Sequence, residues 1–266
     1  GLGDVYKRQT QNSSVMMDAF IIFLLVCIFL YSLCGGKIPW QRANNKLLYI
    51  SLVWMIYVFF ELFNPSAVIE AWVYTRNSFY NFTLLVLLTS LLLSRVLDIK
   101  RILFLLSIFT LIAIAKALIQ RYIGFDAGEN AWLIRSESYK THLLPSGIRY
   151  FSIFSDAGNF GSNMGMAAVV FMILSFYMSN KKLRYYYRFV SLFAAYGLIM
   201  SGTRGAMIVP LGGLAMFILL NKNVRYIVGG AICLLFIYIF FAQTHIWDSN
   251  RQIHRMRTAF HPEKDA

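Results

Sequence analysis

A chain of 266 residues that is 58% hydrophobic, 17% aromatic and only 14% charged has too little polar surface to cover a soluble globule, and its apolar residues come in long blocks divided by short basic linkers. This excludes a soluble domain and predicts an all-α fold, a polytopic transmembrane helical bundle. A formal charge of +13 would suggest nucleic acid in a soluble chain, but its distribution between the linkers points instead to membrane topology and leaves no nucleic-acid partner.

Crossing a hydrocarbon core about 30 Å thick takes ~20 helical residues, with ~17 the lower end. About eight membrane helices are expected, at 19–34, 47–63, 78–94, 102–120, 160–178, 189–203, 205–220 and 227–244. One alternate set of linkers (35–46, 95–101, 179–188, 221–226) holds twelve Lys and Arg against Asp98 alone. The other set (64–77, 121–159, residue 204, 245–266) holds ten cations and eight acids. The first set is therefore cytoplasmic by the excess of basic residues on that side. Cys27, Cys34 and Cys233 lie in or at the ends of apolar blocks and read as packing residues, with neither a disulfide framework nor metal-ligand spacing.

The opening GLGDVYKRQ resembles a translated sequencing-adaptor remnant, so residues 1–10 are set apart and 11–266 are taken as a single transmembrane domain. The chain stops inside a polar loop at HPEKDA and is expected to be an internal fragment. The first block ends at Gly35, Gly36 and Pro39, with Lys37, Arg42 and Lys46 as cytoplasmic anchors. After the second block come Glu61 and an outer loop whose Trp72 and Tyr74 suit the headgroup level; Arg76 follows just before the third. Lys116 lies about one turn from the outer end of the fourth block. It either snorkels to the headgroups or faces a polar outer cavity, with Glu61 as a candidate partner. The outer loop at about 121–159 carries Trp132, Tyr139 and Tyr150; its length and aromatics predict a short interfacial helix rather than disorder.

The segment 149-RYFSIFSDAGNFGSNMG-165 opens the fifth block. Ser155 and Asp156 are N-cap candidates, and Gly161 and Gly165 form a pair suited to close helix packing. Arg149 stands before a helix N-terminus, whose free amides already favour anions. Further on, Arg204 interrupts the 32 residues 189–220, which otherwise carry no charge. A guanidinium costs roughly 2.5–3.5 kcal/mol at the centre of a membrane helix. Breaking the stretch at 201-SGTRG-205 avoids that cost: Gly202 and Gly205 allow a reversal, the hydroxyls of Ser201 and Thr203 satisfy freed backbone groups, and Arg204 reaches the outer surface. There it either pairs with an outer acid such as Glu61 or Glu70, or joins Arg149, Arg76 and Lys116 around a phosphorylated, lipid-linked substrate. In the tail, His245, His254 and His261 are spaced 9 and 7 apart, which puts no pair on one helical turn and argues against a metal site.

The pair RYFSIFSDAGNFGSNMG and SGTRGA, separated by a short loop and one helix, resembles the O-antigen ligase and O-antigen polymerase superfamily of bacterial membrane glycosyltransferases over roughly residues 100–260. The resemblance implies a multi-pass protein of the bacterial inner (cytoplasmic) membrane, involved in polysaccharide or lipopolysaccharide biosynthesis and working at the periplasmic face without metal or cofactor. Such enzymes move a glycan from undecaprenyl diphosphate to an acceptor hydroxyl, on lipid A core in ligases or on another glycan in polymerases. Carried over, Arg149 and Arg204 would bind the diphosphate, with Arg76, Lys116, Asp156 and Asn159 as candidate supporting residues. Thr203 stands where the commoner residue is serine and keeps the hydroxyl. The family's acceptor-handling histidine lies in a large loop further downstream, so that role is not assigned to His245, His254 or His261, and the chain is expected to be incomplete as a catalyst. The alternative is a secondary transporter or flippase for an anionic or lipid-linked solute. Paired broken helices and internal symmetry would mark it, and the sequence offers only one clear outer break.

Overall fold

The computed structural model describes residues 2–66, 68, 80–93, 95–144, 147–221, 224–243, 253, 256 and 257. It is about 80% helical; strand among the described residues is confined to Leu143–Leu144 (β1) and Gly147–Ile148 (β2), paired antiparallel. The chain divides into two compact units, Gly1–Ile102 and Leu103–Ala266.

The first unit contains α1 (Leu2–Leu33), α2 (Lys46–Phe60) and α3 (Tyr80–Leu92). Polar side chains link these apolar helices. Asn45 caps α2 by accepting from the Leu48 amide at 2.9 Å, while its own amide donates to Ser90 Oγ on α3 at 3.0 Å. Asn81 donates to Asp18 Oδ1 at 2.7 Å, and Thr83 Oγ1 to the Ser51 carbonyl at 3.1 Å. Between them Ile21, Ile28, Leu88 and Leu91 form a buried apolar cluster. Where the surroundings are as apolar as the side chains, packing and such bonds hold helices together, each bond contributing about 0.6–2 kcal/mol.

The helix α4 (Val96–Tyr122) begins well before the expected residue 102, because Asp98 in its first turn complements the helix N-terminus. The second unit continues with α5 (Ala127–Arg135), α6 (Tyr139–His142), the β1–β2 pair, α7 (Ala157–Tyr177) and α8 (Lys181–Ser201). A 3₁₀ turn at Arg204–Met207, α9 (Ile208–Leu220) and α10 (Val224–Ala242) follow. Residues 181–188, expected as a loop, are the first two turns of α8. Asn180 Oδ1 accepts from the Lys182 amide, and the Arg184 guanidinium donates to the Met178 carbonyl, so the basic residues close the turn rather than prevent helix.

The antiparallel pair α7–α8 forms the centre of this unit. Phe160, Val190, Ala194 and Met200 are buried between them, Phe171 stacks on Tyr187 with centroids 5.7 Å apart, and Ser191 Oγ donates to the Ala168 carbonyl at 2.6 Å. Small residues make the approach possible. A Cβ on Gly197 would lie 3.1 Å from Met164 Cγ, and one on Gly165 would lie 2.9 Å from Pro210 Cδ. The expectation that Gly161 and Gly165 serve close packing is met in the geometry.

Among the described residues, three segments are long and apolar enough to cross a membrane: Lys46–Phe63, Val96–Tyr122 and Ala157–Tyr177. Asp18–Leu33, Tyr80–Leu92, Arg204–Leu220 and Ile227–Ile239 are apolar but shorter. Large apolar side chains such as Phe20, Ile50, Phe109 and Leu219 face outward, far more of them than a water-exposed surface carries as isolated residues.

Candidate functional site

The two arginine motifs meet at the end of the α7–α8 hairpin remote from Lys181. There α8 stops at Gly202, whose left-handed φ of +57° only a residue without Cβ adopts cheaply and whose amide returns to the Ile199 carbonyl. The hydroxyls then act as expected: Ser201 Oγ donates to the Leu198 carbonyl at 2.7 Å and accepts from the Thr203 amide at 3.2 Å. Residues 201–206 sit directly on α7, for a Cβ on Gly161 would lie 3.0 Å from both Ser201 Cβ and Ala206 Cβ.

Arg149 reaches this turn from the opposite side in sequence. Its Nη2 donates to Thr203 Oγ1 at 2.9 Å and its Nη1 to the Thr141 carbonyl at 3.1 Å, while its main-chain N–H donates to the His142 carbonyl at 2.8 Å. Its buried Nε–H has no acceptor among the described residues. Thr203 immediately precedes Arg204, which is half-buried at the head of the 3₁₀ turn. Arg149 and the SGTRG turn thus share one corner. Asp156 N-caps α7 by accepting from the Gly158 amide, as expected, and Asn159 stands exposed on the first turn with its amide on Ser155 Oγ at 3.2 Å.

Lys116 belongs to a different network. Its ammonium lies 2.8 Å from Asp126 and 2.9 Å from Glu129, on and beside α5. Two carboxylates therefore neutralise it, and its charge is not free to meet an anion. The Lys116 ammonium, with the backbone N–H of Glu129, holds the Asp126 carboxyl below its ordinary range. Buried Gln120 extends the network, donating to Glu129 at 2.7 Å and to the Ser152 carbonyl at 3.1 Å while accepting from the Ser152 amide at 2.9 Å. Ser152 is held at a φ of +56°, with its hydroxyl on the Ala113 carbonyl at 2.6 Å. So α4 grips the segment that carries Arg149 and Asp156. Arg76, the outer acid Glu70 and His245, His254 and His261 lie outside the described residues.

One residue at this corner has no counterpart among the sequence candidates. His142 is 2% exposed, wedged edge-on between Trp132 and Phe151, with Nδ1 bonded to the Ser138 carbonyl at 2.9 Å. Its Nε2 lies 3.7 Å from Asp156 Oδ1 and makes no hydrogen bond among the described residues. The only advance signal was a histidine inside the long outer loop, seven residues before Arg149. Among the described residues no group of three or more His, Cys, Asp or Glu could hold a metal ion.

On the face of α7 away from the SGTRG turn, an apolar cavity of about 350 Å³ opens between α4 and α7, lined by Leu106, Phe109, Ala113, Met164, Ala167 and Phe171 among others. The site combines a guanidinium with an unused buried N–H, a helix N-terminus and a neighbouring arginine. That arrangement can hold an anion. Compared with known proteins, the chain matches no family model, no curated protein and no solved structure.

Proposed function

We propose that this chain is a multi-pass inner-membrane protein, crossing about eight times, that binds a lipid-linked glycan diphosphate at its extracytoplasmic face. Its activity would be of the O-antigen ligase or polymerase type: transfer of a glycan from undecaprenyl diphosphate to an acceptor hydroxyl, on lipid A core or on another glycan. The observation that carries this reading is the 2.9 Å bond from Arg149 to Thr203, which joins two motifs more than fifty residues apart. In the transfer, the anomeric carbon gains a bond to the acceptor oxygen and loses its bond to the diphosphate, while the acceptor O–H bond breaks and its proton leaves with the diphosphate or to water. Arg149 and Arg204 would neutralise charge growing on the departing diphosphate, a role for which preorganised donors are well suited. The apolar exterior supports a membrane-borne, lipid-tailed substrate.

Binding of undecaprenyl diphosphate to the full chain in lipid nanodiscs tests the proposal. Arg149→Ala and Arg204→Ala should each weaken binding at least tenfold while membrane insertion is kept. Wild-type affinity in both variants would overturn it.

A further inference from the structure

We propose that His142 is a positioning residue for Arg149, acting through a proton that bridges it to Asp156. The hydrogen bonds fix the tautomer. The Ser138 carbonyl can only accept, and Thr141 Oγ1 already donates to that same carbonyl at 3.0 Å, so Nδ1 of His142 carries a hydrogen shared between the two. In the neutral ring Nε2 is then a bare lone pair. It faces Asp156 Oδ1 at 3.7 Å, an acceptor opposed to an acceptor, buried and with no hydrogen-bond partner among the described residues. The other carboxylate oxygen of Asp156 is taken by the Gly158 amide, which leaves Oδ1 for Nε2. A proton taken from solvent onto Nε2 makes it a donor, and a shift of under about 1 Å closes the gap to an ordinary charge-assisted bond. The N–H bond forms as one O–H bond of a hydronium ion breaks and water leaves; no other bond changes.

That proton matters because α6 holds Arg149 by two hydrogen bonds. The His142 carbonyl accepts the Arg149 main-chain N–H, and the neighbouring Thr141 carbonyl accepts Nη1 of the guanidinium. Locking the ring to Asp156, at the N-cap of α7, ties α6 to the hairpin and so sets where the guanidinium meets Thr203. Asp156 is the charged group facing Nε2. From α5 the ring meets Trp132, from the 149–156 segment Phe151, and on its own turn Glu137 and Lys140 pair with each other. That Arg149 serves a diphosphate rests on the function proposed above; that His142 places Arg149 does not.

Hydrogen exchange of the full chain in nanodiscs, read on peptides covering 138–150 and corrected for intrinsic rates, separates the two. On going from about pH 8 to about pH 6, the wild-type segment should become about tenfold more protected, the size expected of a hydrogen bond to a charged group. His142→Phe, which keeps the aromatic packing, should be poorly protected at both pH values. His142→Gln, with a permanent N–H donor, should be protected at both, and Asp156→Asn, which preserves the cap, should lose the pH response. Equal wild-type protection at both pH values, or a wild-type response in His142→Phe, would overturn the proposal. A pH response in the segment with no wild-type binding of pyrophosphate would leave His142 in place and defeat the diphosphate reading instead.

Discussion

Gly161→Ala tests whether the arginine turn is really seated on α7. In a helix interior, replacing glycine by alanine should stabilise by about 1 kcal/mol through propensity alone. Here the added methyl would lie 3.0 Å from Ser201 Cβ and 3.0 Å from Ala206 Cβ, and it would collide with Ser201 Oγ. Neither Cβ is the end of a flexible side chain, and Ser201 Oγ cannot rotate away without losing its bonds to the Leu198 carbonyl and the Thr203 amide. Overpacking of this kind costs about 1–3 kcal/mol, to which one lost hydrogen bond adds about 0.5–1.5 kcal/mol. The unfavourable terms win, and a net loss of about 1–2 kcal/mol is expected by unfolding in mixed micelles. Gly205→Ala is the control, because its Cβ would meet nothing within 4 Å, and it should stay within about 0.5 kcal/mol of wild type. A Gly161→Ala variant as stable as Gly205→Ala would refute the seating of 201–206 on α7.

Thr203→Val removes the acceptor of Arg149 Nη2 at nearly constant volume and should destabilise by about 1–3 kcal/mol, whereas Thr203→Ser, which keeps the oxygen, should be close to neutral in the same unfolding assay. Gln120→Leu strands both main-chain groups of Ser152 and removes one donor to Glu129, which keeps Lys116; a loss of about 3 kcal/mol is expected, and a neutral result would remove the network from the account of how α4 holds the 149–156 segment. The Asp126 carboxyl, held low by Lys116, stabilises the folded loop above its ordinary value of 3.8 and loses that contribution as pH falls through its lower folded value. Exchange protection at the start of α5 should therefore collapse only in strong acid, and Lys116→Gln should shift that collapse towards milder pH.

Much of the fold was legible because membrane helices announce themselves by length and apolarity, and the breaks by glycine, proline and charge. The break at Gly202 and the cap at Asp156 were both readable, since each follows from what an unpaired backbone group requires. Helix starts were less so. Asp98 and Arg101, or Lys181 through Arg188, look like solvated linkers, yet in the structure they form the first turns of α4 and α8. A charge run says that a segment is wet and does not say that it is uncoiled.

The same distinction explains Lys116 and His142. From spacing alone, a lysine one turn below a helix end can snorkel, pair or line a cavity, and only the fold brings Asp126 and Glu129, ten and thirteen residues on, back over it. His142 left still less trace, because its significance lies in a hydrogen bond it does not make, opposite a carboxylate fourteen residues later. Arg149 was visible as a cation beside a helix N-terminus, but its partner Thr203 was read only as a keeper of its own turn. A hydroxyl next to an arginine in sequence is thus the acceptor for a different arginine in space. A conservative change there acts on Arg149 more than on its neighbour Arg204: Thr203→Val should weaken anion binding in step with Arg149→Ala and add little to it in the double variant. Full additivity would mean that the two residues act apart.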